Sequence, residues 1–419
     1  MFNVLRAGLE VRSALPVTRT WLDSAIRALL ALMSAYPGNA FASFFQAGFE
    51  CSSHRRRDGV RLDLIRATGH DRHIESDYRQ CAELGFKTLR DGLRWHLIEQ
   101  SPGSYDWSSW MPALEAAERM GLEIIWDLFH YGSPDHVDQA AADFPERFTD
   151  FALAALEVQQ SVSGRPPLVC PLNEINFLAW AVDDGYFPQV GPRQRSWFKR
   201  QLVRTAIAAA RAIKQRWPKA TIVWAEPLIH IAPHDRRRQT VRAAEQNLQG
   251  MYEAYDWIMG LAMPELGGEP SLVDLIGLNF YPHNQWYYKG PTIPMGHHEY
   301  KPLADMLVEF AERYGKPLFI AETGAEGSGR PAWLHYVCDE VRAARSRGTR
   351  IEGICLYPVT AYPGWDNSRH CQVGLLSTVG SDGKRHVYEP LCEELERQRV
   401  IFGFEKATGA RPGRLRIAR

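Results

Sequence analysis

The chain reads as a (β/α)8 barrel, an eightfold alternation of short strand and longer helix closed on itself. Two observations point there. Eight short, apolar, largely unalternated runs follow one another from Phe45 to Tyr357, as strands covered on both faces do. Between them lie longer stretches with apolar residues near the helical period. An open doubly wound sheet is the competing reading, but no GxGxxG or GxxxxGK[ST] loop occurs.

In order, the expected strands are Phe45–Cys51, Phe86–Arg90, Leu122–Leu128, Leu168–Leu172, Thr221–Ala225, Leu272–Phe280, Pro317–Ala321 and Ile351–Tyr357. Helical patterns cover Ile74–Leu84, Met111–Met120, Pro145–Val158, Trp197–Arg216, Leu303–Tyr314 and Ala332–Arg347. Gly85, Gly121 and Gly315 each close a helix just before the next strand. Nothing in the spacing divides residues 44–402, so one catalytic barrel is expected there, between an N-terminal extension (1–43) and a basic tail (403–419).

The balance of 49 Lys+Arg against 49 Asp+Glu leaves no net charge, so no nucleic-acid partner is expected. No run of 18 apolar residues exists, and no membrane span is expected. The seven cysteines form no CxxC pair, so neither a zinc site nor a disulfide framework is expected and a cytoplasmic setting fits. Export is the alternative: Ala28–Tyr36 is apolar after Arg27, and Ala40-Phe41-Ala42 has a small-x-small cleavage pattern, though Glu10 and Asp23 precede it. The 13 Trp and 16 Tyr suit a sugar site, whose rings stack on C–H faces, but most serve a large core equally well.

In such a barrel catalytic groups stand at the C-terminal ends of strands. Just past successive strands come Glu50 and His54, Arg90, His130, Asn173 and Glu174, Glu226, Asn279 and Tyr281, Glu322, and finally Tyr357, Trp365 and Asp366. Paired carboxylates at strand ends are what glycosidic cleavage needs, one as acid and one as nucleophile or base. Position alone leaves Glu174, Glu226 and Glu322 in competition.

The motifs around these positions resemble family 1 glycoside hydrolases and their clan of retaining β-glycosidases. "FKTLRDGLRWHLIEQSPGSYDW" is similar to the second-strand region, and "WDLFHYGSPDH" to the third-strand element that carries a sugar-binding His. "PLNEIN", "IGLNFYPH" and "FIAETG" stand where that family has its acid/base, Asn-Tyr and nucleophile motifs. The resemblance implies Glu174 as acid/base and Glu322 as nucleophile, with Arg90, His130, Asn173, Asn279 and Tyr281 around the sugar. It also implies a carbohydrate substrate, β-linkage, no cofactor and no metal. Arg90 and Tyr281 would stabilise Glu322 as the anion. Structural roles stay open for three of them: Arg90 paired to a carboxylate inside the barrel, His130 on the rim, Tyr281 in the core.

The first and eighth strands depart from the family. "AGFECSSHRRRDG" lacks the family's strand-one Gln, with His54 or Arg55 nearest; His54 with Arg55–Arg57 is either a solvated loop or a clamp for an acidic substituent. Thr323-Gly324 replaces an Asn, and "GICLYPVTAYPGWDN" puts Tyr357 in the place of the sugar-platform Trp. Trp365 and Asp366 are expected to supply what the missing distal-hydroxyl Glu would. The same residues would serve a transglycosidase, or a sugar-binding barrel without activity.

Overall fold

The computed structural model describes residues 40–190, 195–365, 367 and 369–404. Eight parallel strands close into a barrel: β1 (Phe45–Gly48), β2 (Thr88–Gly92), β3 (Glu123–Asp127), β4 (Leu168–Cys170), β5 (Thr221–Pro227), β6 (Leu275–Asn279), β7 (Leu318–Thr323) and β8 (Ile351–Leu356). Ring closure is made by β8 against β1, with Phe45 opposite Ile354 and Ala47 opposite Leu356. No strand is left with an open edge. The expected (β/α)8 architecture is the one observed.

The six expected helices form at His70–Glu83, Met111–Met120, Phe144–Ser163, Arg195–Arg216, Leu303–Tyr314 and Arg330–Ser346. Gly121 and Gly315 end their helices in the left-handed region, at φ 66° and 60°. Among the described residues six further helices escaped the periodicity: Ile175–Asp183, the short Leu64–Ala67 and Trp95–Ile98, Arg238–Gln249, Glu253–Ile258 and Glu389–Ile401. The first of these buries Ile175, Leu178, Ala179 and Val182, and its outer face carries Phe177 and Trp180, so its sequence has little polar stripe to betray it. Several strands are shorter than expected, β1 and β6 most of all. β1 ends at Gly48, freeing Phe49–Cys51 to reach the barrel mouth, and Pro270–Leu272 is a 3-10 turn ahead of β6.

Many aromatic residues belong to the core, as their alternative reading had it. Trp95 is fully buried, stacks on Phe151 at 4.7 Å and donates Nε1–H to Glu99 at 2.7 Å. All seven cysteines are free. Among the described residues no helix is long and apolar enough to cross a membrane. Residues 1–39 and 405–419, with the apolar segment and most of the basic tail, lie outside the described residues.

Below the mouth, a buried polar chain ties the C-terminal loop to β2. His70 Nδ1 meets Asp77 at 2.7 Å and Nε2 meets Asp91 at 3.0 Å, while its ring stacks on Phe49 at 3.9 Å. Arg385 donates to both oxygens of Asp77, and Tyr78 donates to Asp91. Burial alone would lower the His70 pKa, but the two flanking aspartates overcome it and push it up to about 9. A pKa raised from its ordinary 6.5 adds stability that is whole below pH 6.5 and is lost as pH climbs through 9. That loss should amount to about 3 kcal/mol. Urea unfolding at pH 6 and pH 9.5 should reveal it in the wild type, and His70→Gln should flatten the slope. An unchanged slope in the variant would place the titration elsewhere.

Candidate active site

Arg90 enters from β2 and organises the barrel mouth. It is fully buried, and each of its five N–H groups has a partner. Nε and Nη2 donate to the two oxygens of Asp127 at 3.0 and 2.8 Å. Nη2 also donates to Asn173 Oδ1 at 2.7 Å. Nη1 donates to Glu322 Oε1 at 2.8 Å and to the Ala321 carbonyl at 3.2 Å. The guanidinium lies 5.1 Å from the centre of the Tyr357 ring. Gly48 makes room for that ring, because a Cβ there would come within 2.2 Å of it. Arg90 therefore has no donor left for a substrate. It holds Glu322, and the pairing with a barrel carboxylate that the sequence left open is also present, with Asp127.

Glu322, from the end of β7, is 5% exposed and accepts a second hydrogen bond from Tyr281 Oη at 2.9 Å on Oε2. Glu174 follows β4 and precedes the helix Ile175–Asp183, with φ at 48°. Its Oε1 accepts Asn279 Nδ2–H at 2.8 Å and its Oε2 accepts the Tyr131 hydroxyl. Tyr131 is also left-handed, at φ 72°. Each such backbone costs about 1–3 kcal/mol and persists where its surroundings hold it. Two of the four non-glycine residues with positive φ among the described residues thus meet in one hydrogen bond.

Glu226, the third competitor, is removed by its partners. Its oxygens accept the Ile175 and Asn176 backbone N–H groups at 2.6 and 3.0 Å. A carboxylate fastened to the first turn of the helix behind Glu174 sets the direction in which Glu174 points.

The electrostatics separate the other two carboxyls. Burial pushes both above the ordinary carboxylate range; at Glu322 Arg90 opposes the rise and Glu174 adds to it. Two carboxyls coupled in this way retain one proton between them over the neutral range. Glu322 accepts from a guanidinium and a phenol, whereas Glu174 accepts from a phenol and an amide. The charge-assisted bond is the stronger and favours the anion at Glu322, while burial and the nearby Glu174 push the Glu322 pKa up to about 8.

Neither known family models nor curated proteins match the sequence. Solved structures do. A family 1 β-glucosidase from Thermotoga maritima aligns with 88% of this chain and 99% of its own, at TM-score 0.71 and 13% identity. The same enzyme in complex with glucoimidazole gives 0.70 and 14% over the same shares. The β-glycosidase BGL167 aligns at 0.63 and 18%, covering 84% of this chain and 90% of its own. The chain has the fold of the family 1 β-glucosidases.

Within that fold the remaining expected residues divide into those at the carboxyl pair and those beside it. Asn173 is oriented from three sides: it accepts from Arg90 and donates to Tyr131 Oη at 3.1 Å and His130 Nε2 at 3.0 Å. Asn279 and Tyr281 each touch one of the two carboxyls. Tyr357 lies 1% exposed over Arg90. Trp365 packs at 5.6 Å from Tyr131 and 5.0 Å from His54, within a cluster that includes Phe177 and Phe187. Asp366 lies outside the described residues.

The arginine run after β1 is bound to neighbouring carboxylates. Arg55 holds both oxygens of Asp135 at 2.7 Å, Arg61 joins it, Arg56 pairs with Asp58 and Arg57 with Asp184. Sequence reading missed Asp127 and Tyr131. A buried Arg on β2 demands a carboxylate on an adjacent strand, and "WDL" supplies one; Tyr131 carried no such signal. Cys51, Asp127 and His130 are close enough to share a cation. Both Asp127 oxygens already carry Arg90, whose charge opposes a metal there.

Proposed function

We propose that this chain is a retaining O-glycoside hydrolase acting on β-linked glycosides by double displacement. The observation that carries the reading is the unequal environment of two carboxyls at opposite strand ends, one held by a guanidinium and the other by neutral donors. The likeness to β-glucosidases, one of them in complex with glucoimidazole, supports a carbohydrate substrate.

In the first step a Glu322 oxygen bonds to the anomeric carbon as the bond to the leaving oxygen breaks, and Glu174 transfers its proton to that oxygen. Esterification removes the charge of Glu322, so the Glu174 pKa falls and it becomes the base. It then takes a proton from water, whose oxygen attacks the anomeric carbon and releases Glu322. Asn173 has both N–H groups taken by His130 and Tyr131, and its Oδ1, which accepts from Arg90, keeps a lone pair for a sugar hydroxyl.

A 2-deoxy-2-fluoro aryl β-glycoside should form a stable ester, adding the sugar's mass to the peptide that contains Glu322. Label on Glu174 or Glu226, or the absence of turnover across a panel of aryl β-glycosides, would overturn the proposal.

A further inference from the structure

Glu50 is the one carboxylate at the mouth that the mechanism leaves unused. It stands past the end of β1 and is 5% exposed. Oε1 accepts the Ser52 N–H at 3.0 Å and lies 3.8 Å from His130 Nε2, whose lone pair already faces the Asn173 amide. Oε2 has no hydrogen bond and Glu50 no Lys or Arg partner among the described residues. Through His130 it adjoins Asn173, which donates to the Tyr131 hydroxyl that bonds Glu174, so Glu50 borders the carboxyl pair.

With one backbone hydrogen bond and His130 at 3.8 Å on Oε1, the carboxylate has room on Oε2 for donors that a ligand brings. The cations nearby are committed elsewhere. All five Arg90 N–H groups are used within the protein, and Arg55, Arg56, Arg57 and Arg61 pair with Asp135, Asp58 and Asp184. The Asp127–Arg90 pair is neutral by itself, and the Glu174–Glu322 pair carries one negative charge. With Glu50 and Asp127 added to that pair, four acidic side chains stand against two basic ones, Arg90 and His130.

We propose that Glu50 is a specificity-determining residue that accepts hydroxyl hydrogens of the sugar lying against Glu322, and that the site takes glycons without an anionic substituent. Sugar hydroxyls supply what Oε2 lacks, in charge-assisted hydrogen bonds. A uronic acid or phosphorylated sugar would bring a second anion to Glu50 with no free guanidinium to receive it. This rests on the hydrolase reading above, and its test is arranged to fail separately.

The wild type and Glu50→Gln are compared on an aryl β-glucoside and the matched aryl β-glucuronide. The wild type should favour the neutral sugar, and Glu50→Gln should cut kcat/KM for it by at least about tenfold. The preference for neutral over uronide should narrow by a similar factor, a change that a structural role for Glu50 would not produce. Calorimetry of the neutral glycoside on Glu322→Gln, with and without Glu50→Gln, reads binding without turnover. There the second substitution should weaken binding at least about tenfold. A wild-type preference for the uronide, an unchanged preference in Glu50→Gln, or binding to Glu322→Gln that is absent or indifferent to Glu50 would each overturn the proposal. Loss of all turnover with Glu50-dependent binding intact would instead strike the hydrolase reading.

Discussion

Glu322→Gln should lower kcat on any aryl β-glycoside by about 10⁴-fold or more while leaving the fold in place. The amide keeps the shape of the carboxylate. Its carbonyl oxygen can still accept from Arg90, and its NH₂ can face the Tyr281 hydroxyl, which then accepts instead of donating. What disappears is the anion that attacks the anomeric carbon. A 2,4-dinitrophenyl glycoside separates the two carboxyls, because such a leaving group departs without a proton. Glu174→Ala should retain the first step on that substrate, whereas Glu322→Gln should lose it. Stopped-flow release of the phenol measures the step, and thermal melting within a few degrees of wild type certifies the fold. Residual activity above about 1% in Glu322→Gln would remove it as the nucleophile.

Arg90→Met should destabilise the protein by about 3–5 kcal/mol and abolish turnover with it. The substitution leaves Asp127, which is 0% exposed, and Glu322 buried without their shared cation. Lys should not rescue either property, since a single ammonium offers three donors where the guanidinium fills five partners. Adding Asp127→Asn to Arg90→Met should recover part of the stability by removing one stranded charge, without restoring catalysis. Urea unfolding followed by tryptophan fluorescence decides this. A loss below about 1 kcal/mol in Arg90→Met would mean that the buried ion pair does not hold the barrel mouth together.

Much of this architecture was legible in one dimension because parallel strands announce themselves by continuous apolar runs. Strand ends, once located, point to the mouth of the barrel. That is why Glu174, Glu226 and Glu322 could be placed at the mouth, whereas the expectation of Arg90 and Tyr281 beside Glu322 came from the family resemblance. The helix Ile175–Asp183 stayed hidden because its outer face is aromatic, with Phe177 and Trp180 where a polar stripe would show. The strand-end rule also left Glu226 in competition, since it says where a side chain begins and not what receives it.

The sequence by itself determined the eightfold alternation and the order of polar residues around the mouth, since strand and helix periods are local properties of the chain. Only the tertiary structure showed what each carboxyl touches. Glu226 is fastened to backbone amides some 50 positions earlier in the chain, and Arg90 spans 232 positions to reach Glu322. Tyr131 meets Glu174 through two left-handed residues, and the arginines after β1 turn to Asp135, Asp58 and Asp184 and leave Glu50 to His130. The physical reason is common to all of these. A charge or proton is placed by the sum of short-range contacts around it, and those contacts exist only once strands distant in sequence stand side by side.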